Sequence, residues 1–224
     1  MSDLTDKKKK CPTYFNESIP PQNKNKANLQ TAERGRIIMK SLLAEGFNKE
    51  QVVGICSCLF QESSWDPTNI NSSGVQKCGS TPRKGSGAGG LCQWLPGCNE
   101  RHRQYEAVKK INEWHKTSYK INKYNWGTHT WTNNFGAVPL EYQFEYFMFE
   151  IRNVAPYSGI YNTLKNCRDA YSACTVMVKD YERPGQESID KKEHQRYLDF
   201  SREVFERYFD DNGNPKKFVI YLHH

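Results

Sequence analysis

No stretch of the 224-residue chain approaches the roughly 20 consecutive apolar residues that a membrane-spanning helix needs, so no membrane insertion is expected. The basic run Lys7 to Lys10 has no apolar segment behind it, and no secretory signal is read there. No internal repeat and no nucleic-acid recognition motif is present, which counts against solenoids and sequence-reading modules. Cys56 and Cys58 point to different sides of a helix, and Cys92, Cys98 and His102 lack the paired spacing of a zinc site. The sequence therefore calls for no cofactor and no metal.

Aromatic side chains are what the chain has in quantity. Thirteen Tyr, eleven Phe and five Trp offset an apolar fraction of only 37%, and they predict an aromatic-rich core. Thirty-two Lys and Arg face 25 Asp and Glu, a net charge of +7 that suits anionic partners. Nucleic acid and bacterial wall polymers both fit that description, and charge does not choose between them. Eight cysteines permit too many pairings for connectivity to follow; buried or paired cysteines are the expectation.

The length fits one domain with tails. Residues 1–26 are rich in Lys, Asn and Pro and read as an extended arm, 27–209 as the folded domain, and 210–224 as a tail whose FVIYL run suits a strand. Helical spacing of Ile37, Ile38, Leu42 and Leu43 predicts a helix from Leu29 to Gly46. Asn48 is positioned to cap a second, whose stripe Val52, Val53, Cys56, Leu59 and Phe60 ends at Gln61 and Glu62 before Pro67. Residues 68–90 read as loop with short hairpin strands, GGLCQW as a short buried strand or turn, and 118–138 as an irregular aromatic insertion. Further helices are predicted over 99–115, 139–153, 159–166, 169–181 and 190–209. The fold class is α+β, mostly α.

Glu62 carries the chemistry. A carboxyl closing a buried helix loses hydration and meets the negative end of the helix dipole, and both raise its pKa toward that of a proton donor. Glycoside hydrolysis needs such an acid beside the leaving oxygen.

The order of parts around it, QESSWDP, then a Gly-rich segment, then GLCQW, resembles the lysozyme-like superfamily. Trp94 after Gln93, and the later DYERPGQ at 180–186 with HQRYLDF following, narrow the resemblance to the phage tail lysozyme family. That resemblance implies a lysozyme-like fold in which a small β-hairpin forms one wall of a sugar cleft. It implies Glu62 as the catalytic acid, with Ser63 and Gln93 at the substrate; Trp65 and Trp94 either stack on sugar rings or seal the helix–hairpin junction. The second carboxylate stays open between Asp66 and Glu182. Glu150, within the most apolar helix, is expected to partner a buried Arg, for instance Arg152 or Arg183.

The implied function is a peptidoglycan hydrolase, a muramidase cutting the β-1,4 bond between N-acetylmuramic acid and N-acetylglucosamine, with bacterial peptidoglycan and virion proteins as partners. It would act from a phage tail or within the host envelope. A lytic transglycosylase, needing a single acid, and an inactive structural virion protein are the alternatives. Nucleic-acid binding rests on charge alone.

Overall fold

The computed structural model describes residues 26–73, 75–78, 81–96, 102–182 and 191–216. The first helix, α1 (Lys26–Ala44), ends where predicted: Gly46 takes φ +80°, and its N–H donates to the Leu43 carbonyl. Asn48 opens α2 (Lys49–Ser63) with a reciprocal capping box, its side chain accepting from the Gln51 N–H while the Gln51 side chain accepts from the Asn48 N–H. α2 is buried along most of its length, so it forms the central helix.

Around it lie α3 (Arg103–His115), α4 (Leu140–Asn153), α5 (Ile160–Lys165), α6 (Ala170–Val176) and α7 (Lys191–Tyr208). Two small antiparallel hairpins complete the fold, β1 (Val75–Cys78) with β2 (Thr81–Lys84), and β3 (Lys123–Asn125) with β4 (Thr130–Thr132). The α+β, mainly helical class is thus the observed one. Asp169 caps α6 as expected, but the single helix predicted over 169–181 changes at Met177 into a π-helical turn, Met177–Glu182. Such turns insert an extra residue and re-aim side chains. The aromatic insertion is more regular than expected, since β3 and β4 pair Tyr124 with Trp131.

α2 approaches α6 closely because Gly54 lacks a side chain. A Cβ there would lie 2.3 Å from the Ala170 carbonyl oxygen and 2.7 Å from the Ala173 Cβ. Gly54→Ala gains about 1 kcal/mol of helix propensity, yet overpacking against backbone costs about 1–3 kcal/mol. A net loss of stability is therefore expected in urea unfolding, and a variant as stable as the parent would contradict this packing.

The tail does not leave the domain at once. Phe209 bridges to Pro215, and Lys49 reaches Glu206 (3.1 Å) and Asp211 (2.7 Å). Of the arm predicted over 1–26, Lys26 opens α1 and the rest lies outside the described residues, as does the FVIYL strand.

Candidate active site

Two consecutive residues end α2 in the left-handed region, Ser64 at φ 55° and Trp65 at φ 56°. Left-handed backbone costs a non-glycine residue about 1–2 kcal/mol, less than the about 3–5 kcal/mol that loss of a buried tryptophan removes. Trp65 is fully buried, donates from Nε1 to the Cys56 carbonyl at 2.8 Å, and lies over Gly35 of α1. Its indole thus pins a tight reversal that leaves Glu62 at the helix end.

After that reversal the chain runs back along the GLCQW segment. Asn71 N–H donates to the Ala88 carbonyl, Gly90 N–H to the Asn69 carbonyl, and Gly89 N–H to the Trp94 carbonyl. Three buried amides lock this wall. Gln143 accepts from the Leu91 N–H (2.7 Å) and donates to the Pro67 and Val138 carbonyls, while Gln104 holds the Trp94 carbonyl (3.0 Å) and the Asn122 N–H (2.7 Å). Asn122 in turn holds Gly87 and Phe135. Gly90, at φ +79°, lets Gln143 approach, because a Cβ would meet its Oε1 at 2.4 Å. None of these amides was singled out from the sequence; each is one polar residue among helical or loop neighbours, with no local signal.

Glu62 is half-buried, and burial raises its pKa against the opposing pull of the Arg103 guanidinium. Glu182, last residue of the π-helical turn, lies within direct electrostatic reach of it. Burial, and then the Glu62 charge, push Glu182 well above the ordinary value, again opposed by Arg103. Its Oε1 is buried and has no hydrogen-bond partner among the described residues. An ionised Glu62 thus disfavours ionisation of Glu182, on top of the cost of burial.

Tyr181, the chain neighbour of Glu182, belongs to a hydrogen-bonded hub. Glu150 is completely buried and accepts from Trp94 Nε1 (3.0 Å), Arg103 Nε and Nη2 (3.0 Å each) and the Tyr181 hydroxyl (2.6 Å). Arg103 is sandwiched between the Tyr157 and Tyr181 rings at 4.5 and 4.4 Å. Its charge therefore reaches both the hub and the acid pair.

Several expectations need correction. Trp94 is fully buried and spends its only N–H on Glu150, so, like Trp65, it has no face left for a sugar. Ser63 is buried too, its hydroxyl donating back to the Leu59 carbonyl at 3.0 Å. Glu150 does pair with a buried arginine, as expected, but that arginine is Arg103; Arg152, one of the two examples, bonds Glu45 instead, and Arg183 is outside the described residues. Asp66 builds the turn, accepting from the Thr68 N–H and hydroxyl and pairing with Arg34 at 3.1 Å. Against the upward push of partial burial, these contacts hold its carboxyl below the usual range. Gln93, at φ 46°, donates from Nε2 to the Gly90 (3.2 Å) and Asn69 (3.4 Å) carbonyls and is half-buried.

Cys56, Cys58, Cys92, Cys167 and Cys174 are free thiols. Burial raises Cys58 and Cys92 well above the ordinary thiol value and lifts Cys174 to about 11, so all three stay protonated near neutral pH. Among the described residues no group of three or more His, Cys, Asp or Glu is arranged to hold a metal. Nor is any described helix long and apolar enough to cross a membrane.

Comparison with known proteins adds one match, to the family of phage tail lysozymes over residues 33–208. No curated protein and no solved structure matches. The matched span runs from α1 to the end of α7 and so contains Glu62, the GLCQW wall, the Glu150 hub and Glu182. The chain belongs to the phage tail lysozyme family, and with it to proteins whose function is lysozyme-like and directed at peptidoglycan.

Proposed function

We propose that the chain is a muramidase that hydrolyses the β-1,4 bond between N-acetylmuramic acid and N-acetylglucosamine, carried on a phage particle to breach the cell wall. The observation behind this reading is that burial raises the pKa of both Glu62, at the end of α2, and Glu182, at the end of the π-helical turn. The Glu62 charge acts on Glu182, and the Glu182 charge reaches Cys92 of the GLCQW wall. Such a pair of carboxyls shares one proton over a span of pH. Glu62, the more accessible, protonates the leaving oxygen. Glu182, ionised once the shared proton has moved, stabilises the positive charge that develops on the sugar or directs the incoming water. Gln93 remains the candidate for contact with an N-acetyl group, through an Oε1 that accepts no hydrogen bond among the described residues.

Peptidoglycan sacculi digested with the purified chain are expected to yield muropeptides with reducing N-acetylmuramic acid ends in mass spectra. Products ending in 1,6-anhydro sugars would move the assignment to a lytic transglycosylase. A second carboxyl beside Glu62 favours hydrolysis, because the transglycosylase route needs only one.

The pair also fixes a pH dependence. With one shared proton required, the rate should follow a bell, its alkaline limb set by the upper ionisation of the pair. Glu182→Gln leaves Glu62 as the sole acid, so the alkaline limb should move down by about one unit or more. An unmoved limb would separate Glu182 from the catalytic proton. Stability should move the other way. A carboxyl whose pKa rises on folding gives its full contribution below its ordinary value of 4.5 and loses it as pH climbs through the raised one. The same variant should therefore gain about 1–2 kcal/mol at pH 8 and nothing at pH 4.

A further inference from the structure

A second feature extends the GLCQW wall away from Glu62. The β3–β4 hairpin is held to β2 by two aromatic side chains, the Tyr124 hydroxyl accepting from the Lys84 N–H (3.2 Å) and Trp131 Nε1 donating to the Lys84 carbonyl (2.7 Å). Trp131 lies over Gly87, where a Cβ would fall 2.3 Å from the indole. Asn133 Nδ2 reaches the Thr68 carbonyl in the loop leaving α2, so the hairpin continues the wall that begins beside Glu62.

At the tip of this hairpin Trp126 packs edge-on against Tyr124 (centroids 4.8 Å apart, 80° between planes) and is still 47% exposed. The turn that carries it is rigid, since Asn125 Oδ1 accepts from the N–H groups of Gly127 and Thr128. An indole held by these contacts with a bare face offers a flat platform for stacking. Charge identifies its ligand. The sequence has no acidic residue from 67 to 99 or from 114 to 140, the two segments that form the hairpins, whereas each holds three Lys or Arg. Lys84, Lys116, Lys120 and Lys123 are all exposed.

We propose that this ledge binds the peptidoglycan strand beyond the bond that is cut. A sugar ring stacks on Trp126, and the lysines meet the carboxylates of the stem peptides. The proposal takes the identity of the polymer from the muramidase reading, but it does not depend on turnover.

The test is co-sedimentation with purified sacculi stripped of covalently attached phosphate polymers, in a Glu62→Gln background so that the strands stay intact. That parent should bind. Adding Trp126→Ala should weaken binding about tenfold, Trp126→Tyr should restore much of the loss, and Lys120→Glu with Lys123→Glu should flatten its salt dependence. Because Trp126 lies on the surface, an unchanged thermal melt will show that the fold is intact. Equal affinity with and without Trp126, or a parent that binds only unstripped walls, overturns the proposal. The two ideas fail separately: a wild-type chain that binds through Trp126 and releases no muropeptides keeps the ledge and sinks the muramidase.

Discussion

Glu62→Gln is expected to reduce muropeptide release from sacculi by about 100- to 10,000-fold, the range that a positioned general acid contributes, without loss of folded structure. The glutamine amide matches the carboxyl in size and has no proton to give to a leaving oxygen. Among the described residues Glu62 makes no hydrogen bond that the change would break, and its raised pKa marks it as a group held at some expense to stability. The melting temperature at neutral pH should thus stay level or rise slightly. Turnover close to wild type in a folded Glu62→Gln chain would remove this residue from the chemistry and with it the glycosidase reading.

Glu150→Ala is expected to destabilise the chain by about 3–5 kcal/mol in urea unfolding, the scale on which breaking one side of a buried ion pair acts. The arithmetic follows from the contacts. The substitution strands the Arg103 guanidinium between two tyrosine rings and leaves the Trp94 indole N–H and the Tyr181 hydroxyl without their acceptor. An unsatisfied buried donor costs about 1–3 kcal/mol even when neutral. Adding Arg103→Met to Glu150→Leu should recover part of the loss, because an apolar pair leaves no charge unpaired. Such coupling would be seen in a double-mutant cycle, and strictly additive effects would mean that the two side chains do not meet. Loss of the hub should also blur the placement of Glu182, because its chain neighbour Tyr181 is one of the hub's donors.

The helices were legible because their signals are local. Asn48 with Gln51, Pro139 before Leu140, Asp169 before Ala170 and Gly46 after Ala44 each act within a turn of where they stand. The position of Glu62 at the end of α2 was legible for the same reason, at the foot of an apolar stripe with a stop behind it; its role as the acid is the proposal made above. Its partner was not fixed. Asp66 lies four residues away and Glu182 lies 120 away, and chain proximity says nothing of which carboxyl is buried. What supports Glu182 in the proposal is the Thr68 turn and Arg34, which engage Asp66, and the burial of Glu182 at the end of the π-helical turn within electrostatic reach of Glu62.

Trp65 and Trp94 flank the motif residues, so the sequence leaves two roles open, a sugar platform or a seal of the helix–hairpin junction; both are core. The exposed indole belongs instead to Trp126, in the insertion that the sequence alone leaves irregular. The Arg103–Glu150 pair was likewise out of reach, since 47 residues separate its members and Arg152, nearer in sequence, turns to Glu45.

Carboxyl-carbon NMR titration of the wild-type chain, with Glu62→Gln and Glu182→Gln for assignment, addresses the acid pair itself. The expected result is two glutamate resonances that each respond to both ionisations, with the upper midpoint well above 4.5 and a single simpler titration in either variant. Two independent curves near the ordinary glutamate value, unaffected by substitution of the neighbour, would contradict a shared proton and the mechanism built on it.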